Sequence, residues 1–159
     1  MTTLVGITFS KRLNDRVKLL TLMKQMLEEL SIQIRFQALT VFELLNSLCR
    51  NMQLNELQFL VNVQENNIPG ISFNEAWVKG IDEWSNNSLR KEDINFLKNV
   101  GSTLGNSDID GQLSTLELHK ENLDRLLESA SYPTCRTHQS ESIIETKERV
   151  KNGRKRDKV

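Results

Sequence analysis

The sequence lacks most of the features that mark specialised classes of protein. Its lysines and arginines balance its aspartates and glutamates, 21 against 21, so net charge gives no argument for a nucleic-acid or membrane-surface partner. Its two cysteines, Cys49 and Cys135, lie far apart in an apolar run and a polar segment, which disfavours a disulfide framework. Seven glycines and two prolines in 159 residues exclude a collagen-like chain. These absences favour one soluble domain in a reducing compartment.

Long apolar runs are also missing. No run approaches the roughly 18 to 20 residues that a membrane-spanning helix needs. The apolar patch LVGITF, residues 4–9, is followed at once by Lys11 and Arg12, and we interpret residues 1–10 as the remnant of an N-terminal span. Residues 131–159 hold 8 basic and 4 acidic residues without an apolar face, which predicts a disordered or atypical basic tail. The folded domain is therefore predicted to cover residues 11–130.

No stretch alternates apolar and polar residues as a strand would, and aromatic residues are only 6% of the chain. From Leu13 to Ile34 apolar residues recur every three or four positions, which predicts a long helix with one buried face. In a capping box a hydroxyl accepts a free amide of the first turn, and a carboxylate three residues later reaches back. Such boxes predict three further helix starts, at Thr40 with Glu43, Ser72 with Glu75, and Ser107 with Asp110.

The apolar residues also predict which faces point inward. Residues 54–65 are predicted to form one helix with Leu57, Leu60 and Val61 in the core, and a break at Pro69 and Gly70 follows. Two more helices are predicted to bury their apolar stripes, which are Ile94, Leu97 and Val100 in the first and Ile109, Leu113, Leu116, Leu123, Leu127 and Ala130 in the second. The predicted fold class is all-α, with about six helices in a compact bundle of helical hairpins, no sheet and an aliphatic core.

The stretch NSDIDGQLSTLE, residues 106–117, matches the calcium loop of an EF-hand at its ligand positions. The ligands would be Asn106, Asp108, Asp110, Gln112, Ser114 and Glu117. The flanking segments lack the apolar residues that the two helices of a hand require, and no second hand is present. A helix capped by Ser107, with Asp108 and Asp110 in its positive first turn, explains the same residues better.

Gly111 is unusual in that helix, since glycine costs about 1 kcal/mol against alanine. It therefore indicates a close helix contact or a partner surface. No catalytic, cofactor or metal site is predicted otherwise. His119 and His138 lack partners at metal-ligand spacing, and no serine, cysteine or lysine has a recognisable triad around it. Glu92 and Asp93 are predicted to lie on a solvated helix face.

Three stretches, in order, carry a resemblance to a known family: KRLNDRVKLL at 11–20, ISFNEAWVKGI at 71–81 and LGNSDIDGQ at 104–112. From about residue 4 to residue 130 the chain resembles the stage III sporulation protein AB family, membrane proteins of spore-forming bacteria. The second stretch, with Ala76 and Trp77, is similar to the family's Gly-x-Ser/Thr-x-x-x-Ala-Trp helix. The third is similar to its Leu-Gly-x-x-Asp-x-x-Gly-Gln signature, and the matching positions are Leu104, Gly105, Asp108, Gly111 and Gln112.

The resemblance implies a helical domain at the cytoplasmic face of the mother-cell membrane, held between two membrane spans. It implies a non-catalytic scaffold in the assembly that joins mother cell and forespore during engulfment, without cofactor or nucleic acid. The domain is similar to the cytoplasmic helical domain of type II secretion inner-membrane platform proteins, which implies docking to the secretion-type ATPase, stage III sporulation protein AA. The signature positions, with Ala76 and Trp77, become candidate interface residues.

Two departures from the family concern membrane anchoring. The patch at residues 4–9 is shorter than the family's first span, and residues 131–159 do not continue into a second span. The chain by itself is therefore expected to lack a complete span and to be soluble.

Overall fold

The computed structural model describes residues 3–37, 39–84, 86–104 and 108–131, with side chains from Ser10 onward. Within these residues the chain forms six α-helices and a short 3-10 helix, and no strand, which confirms the all-α prediction. In chain order they are α1 (Thr3–Gln37), α2 (Val41–Arg50), the 3-10 helix (Met52–Leu54), α3 (Phe59–Asn66), α4 (Phe73–Glu83), α5 (Lys91–Thr103) and α6 (Ile109–Ser131).

The first helix is the longest of the described helices. Its 35 residues make it about 50 Å long. Leu20, Met23, Leu27 and Leu30 have no exposed surface, as their three- and four-residue spacing predicts. Among the described residues no helix is both long and apolar enough to cross a membrane. The interpretations of residues 1–10 as a remnant span and of 131–159 as a tail stay predictions, because the side chains of 1–9 and all of 132–159 lie outside the described residues.

Two of the predicted capping boxes are confirmed. The Thr40 hydroxyl accepts the N–H of Glu43 at 3.3 Å, and the Glu43 carboxylate accepts the N–H of Thr40 at 2.8 Å. Ser72 and Glu75 repeat the arrangement at the start of α4, at 3.2 and 2.9 Å. Hydrogen bonds from the cap residues lower the pKa of both carboxyl groups below the usual range. The third predicted cap, Ser107, lies outside the described residues.

The helices form two main packed pairs, α1 with α6 and α3 with α4, and α5 packs against both α4 and α6. In the first, α6 runs back along α1, and the Lys24 ammonium donates to the Asp124 carboxylate at 2.6 Å. The second is formed by α3 and α4, which are joined by a turn in which Gly70 has φ of +95°. A β-carbon at Gly80 would lie 2.6 Å from the Val63 Cγ2, so glycine allows α3 and α4 to pack closely.

The prediction of one helix over residues 54–65 was wrong in two respects. The helix is shorter than predicted, and one residue that was predicted to face the core is exposed. The chain makes a 3-10 helix and then a turn, in which Leu57 N–H donates to Leu54 O at 2.8 Å, and α3 begins only at Phe59. Because the helical phase starts there, Phe59, Leu60 and Val63 face the core, while Val61 is 48% exposed. The prediction for Ile109 was wrong in the same way, since its side chain is exposed in the first turn of α6.

Candidate functional site

The two family-like residues of α4 are buried. Ala76 and Trp77 have no exposed surface. The Trp77 indole N–H donates to the carbonyl oxygen of Leu97 in α5 at 2.9 Å, and its ring meets Phe59 edge-on at 5.4 Å between centroids. The suggestion that these residues form an interface is therefore corrected, because a fully buried side chain cannot contact a partner. Their role is to fix α4 against α3 and α5.

A glycine that the sequence analysis missed completes this packing. Gly101 lies against the face of Trp77, and a β-carbon there would overlap the indole ring. The sequence signal was a glycine inside a helical period, which often marks a close approach of another element. Leu104, the first signature residue, directly follows the last residue of α5 and is only 5% exposed. Several of the family-like residues are therefore part of the core.

The remaining signature residues lie at the corner where α5 ends and α6 begins. Gly105 lies outside the described residues. Asp108 and Asp110 are exposed, Gly111 and Gln112 are partly exposed, and the backbone N–H of Gln112 donates to the Asp108 carbonyl at 2.9 Å. Asp108 immediately precedes the first residue of α6. Carboxylates are favoured there because the free amides of a first helical turn carry partial positive charge.

The geometry of α6 does not match the calcium loop. Asp110, Gln112, Ser114 and Glu117 are all helical, and successive helical residues are turned by about 100°. Asp110, Ser114 and Glu117 therefore share one face but extend over about 10 Å along the helix, and Gln112 points to the other side, so the four do not converge on a cation. Asn106 lies outside the described residues. Within the described part of the chain no group of three or more His, Cys, Asp or Glu side chains could hold a metal ion. Calcium binding stays a hypothesis without geometric support.

A buried ion pair links α1 to the start of α5. The Arg16 guanidinium donates to both oxygens of Asp93 at 2.8 Å and to Glu92 at 3.0 Å, and Arg16 and Asp93 are both almost completely buried. The hydrogen bond to Asp93 raises the pKa of Arg16 above its usual value. Asp93 also accepts the N–H of Arg90 at 2.8 Å, which caps the first turn of α5.

The prediction that Asp93 is solvated was therefore wrong, although Glu92 is half exposed. A buried carboxylate must be paired with a cation or with donors, and here Arg16 and the helix start supply both.

His119 lies on α6 and faces α5. Its ring meets Phe96 edge-on, with centroids 5.6 Å apart, and its Nε2 is buried without a hydrogen-bond partner. Burial lowers the pKa of His119 below its usual value of 6.5, because the neutral ring is preferred away from water. A histidine at this position is a packing residue between two helices.

The lowered pKa predicts a pH dependence of stability. Since the folded pKa lies below the unfolded one, the contribution of His119 is complete above about pH 6.5 and is lost as the pH falls through the folded pKa. We expect the unfolding free energy of the wild type to decline from pH 7 toward pH 5, and that of His119→Gln to decline less steeply. Urea unfolding at a series of pH values measures both slopes. Equal slopes would contradict the assignment.

Comparison with known proteins gives the family. The family profile described as stage III sporulation protein AB matches residues 1–133, which include α1 to α6 and the signature corner. No curated protein and no solved structure matches the chain. Because the match covers most of the 159 residues, the chain belongs to the stage III sporulation protein AB family.

Proposed function

We propose that this protein is a non-catalytic scaffold of the stage III sporulation assembly, and that it docks partner proteins through the corner between α5 and α6. The described residues of this corner patch are Asp108, Gly111 and Gln112. The observation that supports the proposal is that some residues of the family signature are buried and others are exposed. Leu104 is buried in the core, whereas Asp108 is exposed and Gly111 and Gln112 are partly exposed in the first turn of the next helix.

The helix that leads into the corner patch is held by contacts with α1 and α4, which suits a docking surface. At its start, α5 is tied to α1 through Arg16 and Asp93. Further along, the Trp77 indole donates to Leu97 and lies against Gly101. A surface on such a support loses little conformational freedom when a partner binds.

The chemistry of the corner patch indicates what a partner should supply. The carboxylates of Asp108 and Asp110 are exposed beside the partly exposed glycine Gly111. Carboxylates form their strongest hydrogen bonds with arginine and lysine, and glycine lets a partner approach the helix backbone closely. The family resemblance suggests the secretion-type ATPase, stage III sporulation protein AA, at the cytoplasmic face of the mother-cell membrane. We expect it to present a basic surface.

The proposal predicts that Asp108→Asn weakens binding of the purified chain to stage III sporulation protein AA by at least about tenfold. A charge-assisted hydrogen bond contributes about 1.5–3 kcal/mol, and 1.4 kcal/mol is a factor of ten in affinity. Asparagine retains an oxygen that can cap the helix, so the melting temperature should not change. Gln112→Ala is expected to weaken binding as well. Biolayer interferometry measures the affinity, and circular dichroism the melting.

Glu121→Gln is the matched control, because it makes the same kind of acid-to-amide change at an exposed position further along α6. It should bind like the wild type. If Asp108→Asn and Gln112→Ala lose stability but not affinity, the corner patch only sets the angle between α5 and α6. Unchanged affinity and unchanged stability in both variants would also contradict the proposal.

A further inference from the structure

The last three turns of α1 present two exposed apolar residues together with two exposed charged residues. Ile32 is 51% exposed and Phe36 is 76% exposed. Since they are four residues apart, their side chains are neighbours on the helix. Glu28 lies one turn before Ile32, and Arg35 lies one turn after it. All four residues line the same shallow cavity, and we call them the α1 end face.

The charges of the α1 end face do not pair with each other. Glu28 and Arg35 are seven residues apart, or about 10 Å along the helix, and no salt bridge joins their side chains. Lys120, which lines the same cavity from α6, already donates to Glu117 at 3.2 Å. No salt bridge joins Arg35 to any residue in the described ranges. The face therefore holds an exposed anion, Glu28, one turn before Ile32 and an exposed cation, Arg35, one turn after it. The Glu28 carboxylate also attracts the Lys24 ammonium one turn earlier, which itself donates to Asp124.

This arrangement is complementary to itself. If a second copy of α1 lies antiparallel across the face, with its twofold axis beside Ile32, Glu28 of each copy meets Arg35 of the other. The same axis places the two Ile32 side chains together, and Phe36 of each copy lies over the turn that begins at Glu28 of the other. Twofold symmetry thus gives two ion pairs with the two Ile32 side chains between them. The same surface of each copy takes part in the contact.

We propose that the α1 end face is the interface of a symmetric homodimer of this chain. The face is about 15 Å long, so the buried area falls in the weak class of specific interfaces, below about 1,200 Å². We accordingly expect a dissociation constant of about 10–100 µM. Dimerisation does not depend on the proposed docking function, because the corner patch and the α1 end face share no residue.

Sedimentation velocity of the full chain over about 5–500 µM, on both sides of that dissociation constant, tests the proposal. For the wild type the dimer fraction should rise with concentration. Arg35→Glu and Glu28→Arg each place like charges across the axis twice, so each variant is expected to stay monomeric. In an equal mixture, the first variant carries two carboxylates at these positions and the second carries two guanidinium groups. Opposite charges then meet across the axis again, and the mixture should regain the dimer.

Arg50→Glu is the control, since it makes the same charge change at an exposed position of α2 outside the face. It should dimerise like the wild type. Phe36→Ser should reduce the dimer by removing apolar contact, and circular dichroism confirms that each variant is folded. A wild type that is monomeric throughout, a dimer that survives both charge changes, or a mixture that does not regain the dimer would each overturn the proposal.

Discussion

Asp93→Ala is expected to destabilise the domain by about 3–5 kcal/mol, because it leaves the buried Arg16 guanidinium without its carboxylate. Removing a charge from water costs several kcal/mol, and only a close partner offsets that cost. Here the partner accepts two hydrogen bonds of 2.8 Å from Arg16. The variant also loses the bond from the Arg90 N–H that caps α5. Urea unfolding followed by circular dichroism measures the loss.

A double-mutant cycle separates the ion pair from the cap. Arg16→Met should also be strongly destabilising, since it leaves the Asp93 carboxylate buried without a cation. Arg16→Met combined with Asp93→Ala removes both charges, so it should be more stable than the sum of the single changes predicts by about 1–3 kcal/mol. The exposed pair Lys98 and Asp82, joined at 2.5 Å, is the control, and its coupling should be below about 1 kcal/mol. Additive effects at Arg16 and Asp93 would contradict the account.

Gly101→Ala is expected to destabilise the domain by about 3 kcal/mol, although alanine is the better helix former by about 1 kcal/mol. The added β-carbon overlaps the Trp77 indole, which is fully buried. Overpacking a core costs about 1–3 kcal/mol. If the ring moves away, it also loses its hydrogen bond to the Leu97 carbonyl, which contributes about 1 kcal/mol more. Chemical unfolding of the variant gives the sign and the size of the effect.

Whether Gly101→Ala lowers or raises the stability of the domain distinguishes a steric contact with Trp77 from an effect of helix propensity. Asn95→Ala, on the exposed face of α5, is the control and should be neutral or slightly stabilising. In a Trp77→Phe background the smaller ring leaves room, so Gly101→Ala should cost less than in the wild type. If Gly101→Ala raises the stability of the wild-type domain, the close approach of α5 to Trp77 is not present in solution.

The features that the sequence predicted are those encoded locally. The capping boxes at Thr40 and Ser72 need only two residues three positions apart, and both helices begin where these boxes place them. The core face of α1 followed from its helical period. Local patterns of this kind can be identified without knowing which element a helix packs against. The predictions made from them therefore agree with the structure.

The features that the sequence did not predict depend on contacts between distant residues. Arg16 and Asp93 are 77 positions apart, and neither residue shows from its neighbours that it will be buried with the other. Val61 was placed inward because the 3-10 turn before α3 was not recognised. The sequence did not show which signature residues are buried, because only the packing shows that Leu104 is buried and that Asp108 is exposed.

Site-specific photo-crosslinking in sporulating cells of the bacterium that encodes this chain tests the docking account most directly. A photo-reactive amino acid at position 108 of the full-length protein should form crosslinks to other proteins of the stage III sporulation assembly, identified by mass spectrometry, with the ATPase among them. The same amino acid at exposed position 121 should form far fewer. Equal yields at the two positions, or no crosslinks to the assembly from position 108, would contradict the account.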